Sequence, residues 1–204
     1  MAVGSSQICS KLLQWNLNGL QARLSHLQTL IYKENPKILI LQELKKDENV
    51  NIYIKDFNKI YKKCRMDNIG GGVCISVHRS LPAISINLNT ELEAVACKVF
   101  FKNSNLNICN VYFNNAAVIN ETTLSDLLKQ IPSPRIILGD VNAKHHLWGS
   151  PISDRRGIII SDIIYDNHLT ILNDGSPTFF NAKLNIKSHL DITACSVNIS
   201  HKFT

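Results

Sequence analysis

The chain has 204 residues, of which 45% are hydrophobic and 19% are charged. This balance excludes a disordered protein and leaves one domain enough apolar side chains for a sizeable core. Lysine and arginine number 22 against 16 acidic residues, so the net charge of +6 predicts an anionic partner, either nucleic acid or a membrane surface.

The apolar runs are short and the six cysteines are scattered. The longest aliphatic runs, Ile38–Leu41 and Ile158–Ile160, fall far below the ~20 residues of a membrane span, so we predict no membrane partner. The first residues lack the basic start and the long apolar stretch of a signal peptide. The cysteines form no C-x-x-C pair and sit mostly among Val, Ile and Leu, which favours reduced thiols and an intracellular location over a disulfide framework.

In chain order, the first half predicts strands around one helix. Residues 8–15 predict a strand, and residues 37–42 form an aliphatic run of buried-strand length. Between them, leucine and isoleucine recur at helical spacing from Leu20 to Ile31, and Pro36 lies beyond the end of this helix. Further strands are predicted at 73–78, 94–101 and 106–113, the last two joined by a hairpin loop at 102–105.

The second half predicts two helices and three strands. Thr122 or Thr123 is the expected cap of a helix whose apolar side ends at Ile131. A second helix is expected at 154–167, with Ile159, Ile160, Ile163 and Ile164 facing inward, and strands are expected at 135–139, 169–172 and 190–195. No repeat or linker divides the chain, so we predict one α/β domain of packed sheets flanked by helices.

Residues 45–65 hold seven basic residues interleaved with aromatic ones. Such a stretch is either a solvated face or a surface that tracks phosphates, and the aromatic residues favour the second interpretation. The glycines at 70–72 lack the helix and the Lys-Ser/Thr of a P-loop, so they predict a turn into the next strand. Arg155 and Arg156 either cap a helix or touch phosphate. The predicted DNA-binding residues are Lys45, Lys46, Lys62, Lys63 and Arg65.

Polar residues come directly after or within several strand-like runs. They are Asn16, Glu43, Tyr112, Asp140, Asn142 and Asp191. If these strand ends converge, they form a pocket of three carboxylates, two amides and a phenol. Oxygen ligands of this kind suit Mg²⁺, which takes one or two carboxylates and keeps water and phosphate for its other positions. The adjacent His145 and His146 are a poor zinc pair.

Each of these residues also has a purely structural interpretation. Asn16 could cap the following helix, and Glu43 could be a surface acid. Asp140 could be a turn residue, Tyr112 a core residue and Asp191 a buried hydrogen-bonding residue. The two tryptophans, at 15 and 148, are predicted to lie in the core.

Five short motifs set these residues in a recognisable order. They are Trp15–Leu20, Leu41–Glu43, Gly139–Ser150, Arg156–Gly157 followed by Leu172–Phe179, and Leu190–Asp191. Together they resemble the endonuclease/exonuclease/phosphatase family, and more specifically the endonuclease domain of non-LTR (LINE-type) retrotransposons. The resemblance covers nearly the whole chain, from about Lys11 to Ser196. It implies a DNase I-like α/β sandwich of two sheets with flanking helices.

The resemblance also implies a role for each polar residue. Glu43 matches the magnesium carboxylate, and Asn16 matches the amide that supports the metal site. Asp140 matches the aspartate that activates or orients the attacking water, and Asn142 matches the amide that holds water and phosphate. Tyr112 matches a tyrosine that contacts the scissile phosphate, and the Asp191 motif supports the site. The implied cofactor is Mg²⁺, with Mn²⁺ as the alternative.

Two stretches depart from the family pattern. The family closes with a Ser-Asp-His motif that residues 1–204 do not contain, and residues 113–115 differ from its proline-containing loop. We therefore assign residues 8–204 to a C-terminally truncated domain without its final strand, and residues 1–7 to a disordered N-terminus. We expect weak or absent nuclease activity, an unpaired sheet edge, and DNA binding that survives better than cleavage.

The sequence thus predicts a magnesium-dependent endonuclease domain that nicks double-stranded DNA to prime reverse transcription. Its implied partner is a reverse transcriptase domain in the intact polyprotein, and its implied site of action is the nucleus. Two alternatives stay open, a non-catalytic DNA-binding remnant and a phosphatase or phosphodiesterase of the same superfamily. The target sequence does not follow from these residues.

Overall fold

The computed structural model of the protein describes residues 10–46, 51–65 and 70–203. Three α-helices are present in this part of the chain: α1 (Leu20–Glu34), α2 (Glu121–Lys129) and α3 (Arg155–Asp166). The strands are β1 (Leu12–Asn16), β2 (Ile38–Gln42), β3 (Phe57–Lys63), β4 (Val73–His78), β5 (Ala83–Ile86), β6 (Glu93–Phe101), β7 (Ser104–Tyr112), β8 (Arg135–Asp140), β9 (Leu169–Ile171), β10 (Phe179–Asn181), β11 (Ile186–Ser188) and β12 (Asp191–Ser196).

Two sheets face each other, as predicted. The first has the strand order β1-β2-β4-β3, with β1 and β2 parallel and the other pairs antiparallel. The second has the order β5-β6-β7-β8-β12-β9, in which only β7 and β8 are parallel. Within the described ranges, no further strand pairs with the free edge of β1.

Strand β2 shows how the layers form, because alternate side chains of a strand point to opposite faces. Ile38 and Ile40 pack between the two sheets, whereas Leu39 and Leu41 pack against α1. Helices α2 and α3 cover the outer face of the second sheet. The order of layers is therefore helix, sheet, sheet, helices, which confirms the predicted α/β sandwich.

Most predicted elements are confirmed, with a few differences. The cap of α2 is Asn120, whose side chain accepts a hydrogen bond from the Thr123 N–H at 2.8 Å, and not either threonine. The loop between β6 and β7 is shorter than predicted, because β7 begins at Ser104, inside the predicted loop. Strands β3, β5, β10 and β11 were not predicted. Trp148 is fully buried, as expected.

The cysteines of the described ranges are buried thiols that take part in no disulfide, as predicted for the core. They are Cys64, Cys74, Cys97, Cys109 and Cys195. Cys9 and the predicted disorder of residues 1–7 lie outside the described residues. None of the described helices is long and apolar enough to cross a bilayer.

Candidate active site

Strand register places four polar side chains in one row at the edge of the six-stranded sheet. Tyr112 on β7 pairs with Asp140 on the parallel strand β8. Asp140 also pairs with Asp191 on β12, and Tyr112 with Glu93 on β6. The row Glu93, Tyr112, Asp140, Asp191 therefore follows from strand pairing alone. The convergence of strand ends that the sequence predicted is correct for this sheet.

The four-stranded sheet supplies the opposite wall of the site. Asn16 ends β1 and pairs in register with Gln42, so Glu43 directly follows the matching end of β2. The Asn16 side-chain nitrogen donates to Glu43 Oε1 at 2.9 Å and to Asp140 Oδ2 at 2.8 Å. One amide thus bridges the carboxylates of the two sheets. Asn16 does not cap α1, which begins after Gly19 with no side-chain cap.

Asp140 is the most buried carboxylate of the site, with 6% of its surface exposed. Its Oδ1 accepts a hydrogen bond from the Asn142 backbone N–H at 3.0 Å. Burial, followed by the charge of Asp191, raises the pKa of Asp140 to about 6, although the hydrogen bond from Asn16 acts in the other direction. Carboxyl groups whose pKa is shifted toward neutrality by burial and a like charge are typical of functional sites.

Asp191 lies beside Asp140 and is held by neighbouring polar groups. Gln14 Nε2 donates to Asp191 Oδ1 at 3.0 Å, and Thr178 Oγ1 accepts from the Asp191 backbone N–H at 3.2 Å. Burial raises the pKa of Asp191. The position of Asp191 in the row agrees with a supporting role for the pair of acids.

Tyr112 and Glu43 connect the two walls a second time. The Tyr112 hydroxyl donates to Glu43 Oε1 at 3.0 Å, and the ring is 8% exposed. Burial and the charge of Glu43 raise the pKa of Tyr112, so the phenol stays protonated and acts as a donor. Lys45 adds an ion pair to Glu43 Oε2 at 3.5 Å.

Removal of this hydroxyl should loosen Glu43 without disturbing the core. We expect Tyr112→Phe to lower DNA nicking by about 10–100-fold, since one positioning hydrogen bond is lost and the ring is kept. Nicking rates of the variant and the wild type, measured under identical single-turnover conditions, test this. Tyr165→Phe, which changes an 81% exposed tyrosine, is the control. Equal rates for Tyr112→Phe and wild type would rule out the role.

Asn142 reaches the same cleft from the loop after β8. Its backbone has a φ of 45°, in the left-handed region that asparagine tolerates better than most residues. Its side-chain nitrogen donates to the Phe113 carbonyl at 3.0 Å, which ties the loop after β8 to the loop after β7. Asn142 therefore lies with Asp140 and Asn16 along the cleft wall.

The donor set of this site fits a hard divalent cation. No group of three His, Cys, Asp or Glu residues forms a ready metal site in the described part of the chain. Mg²⁺, however, needs only one or two carboxylates. The carboxylates of Glu43 and Asp140 both lie within hydrogen-bond distance of one Asn16 nitrogen, and the groups next to Glu43 also include the Tyr112 phenol and the Lys45 ammonium group. Histidine and cysteine are not part of this cluster, so zinc is disfavoured.

These residues line a cleft of about 820 Å³. Its far rim is formed by the β10–β11 hairpin, where Phe179 and Phe180 are about half exposed and also line the cleft. The base of this hairpin is fixed against the loop after Trp148. A Cβ at Gly149 would lie 2.6 Å from the Gly175 Cα, so the two backbones pack too closely for a side chain on Gly149. Two motifs that are distant in sequence thus meet at the rim.

The predicted DNA-binding cations have different surroundings. Lys45 lies beside Glu43 at the cleft and is exposed, and its amino group also contacts Asn18. Lys63 donates to the carbonyls of Thr90 and Leu92, at 2.6 and 2.8 Å, and Arg65 forms an ion pair with Glu93. These two side chains make contacts within the protein. For all five residues, including Lys46 and Lys62, the DNA-binding role stays a prediction.

Some residues of the cleft were not predicted from the sequence. Gln14, Arg23, Asn115 and Thr178 line it, and no motif had singled out the first three for this place. Asn173 supports β12, because its side chain donates to the Asp191 carbonyl at 3.0 Å and accepts from the Thr193 N–H at 2.9 Å. Asn173 and Thr178 belong to the motif at 172–179, which was their only sequence signal.

Sequence comparisons place the chain among relatives from mobile elements. Residues 106–204 match a family described as endonuclease-reverse transcriptase. The chain is 26% identical over 172 residues to a probable RNA-directed DNA polymerase from transposon BS of Drosophila melanogaster, covering 82% of this chain and 19% of that protein. It is 23% identical over 173 residues to the RNA-directed DNA polymerase from mobile element jockey of the same organism, covering 81% and 18%. The chain thus spans about a fifth of the length of these relatives.

Solved structures with the same fold include nuclease domains. The endonuclease domain of TRAS1, a telomere-specific non-LTR retrotransposon, matches with a TM-score of 0.77 and 22% identity over 94% of this chain and 87% of that one. An AP endonuclease from Leishmania major matches with a TM-score of 0.72 and 14% identity, covering 94% and 80%. The chain thus has the DNase I-like α/β sandwich of these nucleases and resembles the endonuclease domain of a non-LTR retrotransposon.

Proposed function

We propose that this domain is a magnesium-dependent DNA endonuclease that nicks double-stranded DNA by phosphodiester hydrolysis. The observation that carries the proposal is the Asn16 amide, which holds Glu43 and Asp140 together at the meeting edge of the two sheets. This arrangement brings one partly exposed and one buried carboxylate to the wall of an open cleft. Metal-assisted phosphodiester hydrolysis needs two such groups, because one must bind the cation and the other must accept a proton from the attacking water.

Each residue of the site would have a separate role in this reaction. Glu43 and Asn16 would hold Mg²⁺, which when bound neutralises charge that develops on the phosphate oxygens. Asp140 orients the attacking water and accepts its proton, for which a pKa of about 6 is well suited near neutral pH. Asn142 would donate a hydrogen bond toward the phosphate, and Tyr112 would do so by turning its hydroxyl proton from Glu43 to a phosphate oxygen. The charge of Asp191 helps to keep the pKa of Asp140 raised.

A DNA substrate agrees with the shape and charge of the cleft. Lys45 and Arg23 place positive charge at the cleft, and the aromatic hairpin at 179–188 extends its far rim. Cations bind the phosphate backbone, whereas exposed aromatic rings contact bases or the groove. Phe179 and Phe180 are therefore the expected contacts of the hairpin with DNA. A phosphatase of small substrates would have no use for this apolar rim.

The biological context that we propose for the nick is inferred from the relatives. Their names describe RNA-directed DNA polymerases of mobile elements. We therefore propose that the nick made by this domain supplies the 3′ end that a reverse transcriptase domain of the same polyprotein extends, in the nucleus.

The test is a nicking assay with supercoiled plasmid and excess protein, with and without MgCl₂, together with DNA binding in EDTA. We expect slow magnesium-dependent nicking, since residues 1–204 lack the Ser-Asp-His motif. We also expect binding that weakens steeply between 50 and 200 mM salt, with a loss of about 10²-fold or more if several phosphates are contacted. Binding without any nicking would favour the non-catalytic remnant, and hydrolysis of small phosphate esters alone would favour a phosphatase.

A further inference from the structure

The loop that carries Asn142 is fastened to the first turn of α3. Asp154, the residue before this helix, accepts hydrogen bonds from the N–H groups of Gly157 and Lys144, at 2.7 and 3.1 Å. Its own N–H donates to the Lys144 carbonyl at 2.9 Å. A Cβ at Gly157 would lie 2.7 Å from the Lys144 carbonyl carbon, so only glycine allows this close approach. The helix start and the loop therefore form one tightly joined unit.

Arg156 points from this unit into the space between two loops and binds only their backbone in the contacts that the structure gives. Its Nη2 donates to the carbonyls of Asn115 and Ala117, at 3.1 and 2.7 Å. Its Nη1 donates to the Asn114 carbonyl at 3.1 Å, and makes longer contacts of 3.4 Å to the carbonyls of Val141 and Asn142. The guanidinium group thus holds five backbone carbonyls of two loops with one rigid, planar donor set.

Both loops begin at the row of site residues. The loop at 113–117 follows Tyr112, the last residue of β7, and the loop at 141–144 follows Asp140, the last residue of β8. Asn115 and Asn142 line the cleft. Asparagine tolerates the left-handed conformation of Asn142, whose φ is 45°, and contacts with neighbouring groups restrain the loop to this one conformation. Arg156 supplies that restraint at the Asn142 carbonyl.

We propose that Arg156 is a positioning residue for the nuclease reaction, which fixes Asn142 and Asn115 in the cleft through their backbone carbonyls. Asp154 and Gly157 hold the first turn of α3 at the distance that this contact requires. The sequence left two roles open for Arg156, a helix cap or a phosphate contact, and the structure favours neither. The inference rests on the proposed function, because the loops that it fixes are the walls of the proposed active site.

The chain offers a matched control at the opposite end of β8. Arg135 donates to the carbonyls of Leu128 and Ile131, at 2.8 and 2.9 Å, and to the side chain and carbonyl of Asn167. It therefore makes the same kind of contact with backbone carbonyls. It begins the strand that Asp140 ends, so its contacts lie away from the cleft. Replacing either arginine removes several hydrogen bonds to backbone carbonyls, but only the replacement of Arg156 should affect the site.

The experiment compares Arg156→Ala, Arg135→Ala and wild type in single-turnover DNA nicking, at a temperature where all three are folded by circular dichroism. We expect Arg156→Ala to lower the maximal rate by about 10²-fold, the cost of a misplacement of about 1 Å, while half-saturation by DNA changes less than about threefold. Added guanidinium at millimolar concentration should restore part of the rate of Arg156→Ala. Arg135→Ala should keep the wild-type rate.

A second measurement does not depend on nuclease activity. Hydrogen exchange of the intact chain should be faster at 113–117 and 141–144 in Arg156→Ala, and at 128–131 and 167 in Arg135→Ala. Unchanged exchange at the two cleft loops would overturn the proposal, as would equal rate losses in both variants. If the wild type does not nick DNA, the proposed function fails, whereas the exchange result still decides whether Arg156 positions these loops.

Discussion

Replacing Asp140 with alanine should lower magnesium-dependent nicking by about 10²–10⁴-fold, the usual contribution of a general acid or base. The buried carboxylate is the only group of the row that touches both Asn16 and the backbone of Asn142 in the described contacts. DNA binding in EDTA should weaken little, or even improve, because the substitution removes one negative charge from the proposed DNA cleft. Single-turnover nicking and a binding titration measure the two effects separately.

The control for this variant is Asp126→Ala. Asp126 is an exposed acid on α2 that pairs with Lys129, so its loss changes the net charge equally but not the site. We expect wild-type nicking from this control. Residual nicking of Asp140→Ala at more than a tenth of the wild-type rate would contradict the assignment of Asp140 as the proton acceptor.

The same pair of proteins tests the raised pKa of Asp140 through stability. The folded chain holds the Asp140 proton up to a pH of about 6, whereas in the unfolded chain the pKa has its ordinary value of 3.8. The folded state thus binds more protons in this interval, so its free energy of unfolding decreases as the pH rises from about 4 to 6. A rise of the pKa from 3.8 to about 6 lowers the free energy of unfolding by about 3 kcal/mol in metal-free buffer, between a pH well below 4 and a pH well above 6.

Asp140→Ala should lack this part of the pH dependence. Asp191, whose pKa is also raised by burial, is present in both proteins, so the difference between them reports Asp140 together with its repulsion from Asp191. Urea unfolding in EDTA at pH 4.5 and pH 7 gives the two free energies for each protein. Parallel pH dependences of wild type and variant would show that Asp140 is solvated in solution.

Gly139→Ala should be among the most destabilising single substitutions of this chain. A Cβ at residue 139 would overlap the Val111 carbonyl and lie 2.8 Å from its carbonyl carbon, across the parallel pair of β7 and β8. Backbone of a neighbouring strand cannot move aside as a side chain can. We expect a loss of about 3 kcal/mol or more in the free energy of unfolding, measured by urea denaturation.

Gly70→Ala provides the comparison for this effect. A Cβ at Gly70 would meet only the end of the Arg65 side chain, at 3.3 Å, and that flexible end can shift. We expect a change of less than about 1 kcal/mol for this variant. Because the Val111–Gly139 pair directly precedes the Tyr112–Asp140 pair, Gly139→Ala should also lose nicking in the fraction that folds. Similar stabilities of the two alanine variants would contradict the packing at Gly139.

The sequence was sufficient to predict the layers and most of the site. The leucine spacing of α1 and the aliphatic runs of β2 and β8 reflect burial, which is the strongest signal in a sequence. Asn16, Glu43, Tyr112 and Asp140 come together because all four lie at strand ends, and strand ends at one edge of a sandwich meet.

What escaped prediction depends on register and on long-range contacts. Glu93 joins the row only through its pairing with Tyr112, which no local pattern encodes. The inward contacts of Lys63 and Arg65 depend on residues 90–93, which follow much later in the chain. The β10–β11 hairpin has exposed Phe179 and Phe180, so it lacks the alternation of apolar and polar residues that reveals half-buried strands.

The backbone contact between Gly149 and Gly175 sets a condition for engineering this domain. The two glycines belong to different loops, yet a side chain on Gly149 would displace the segment that carries the hairpin. A hairpin transplanted from a relative should therefore keep its orientation as long as residue 149 stays glycine and the backbone at residue 175 still packs against it. Chimaeras that replace Gly149 together with its loop must bring the matching segment at 175 with them.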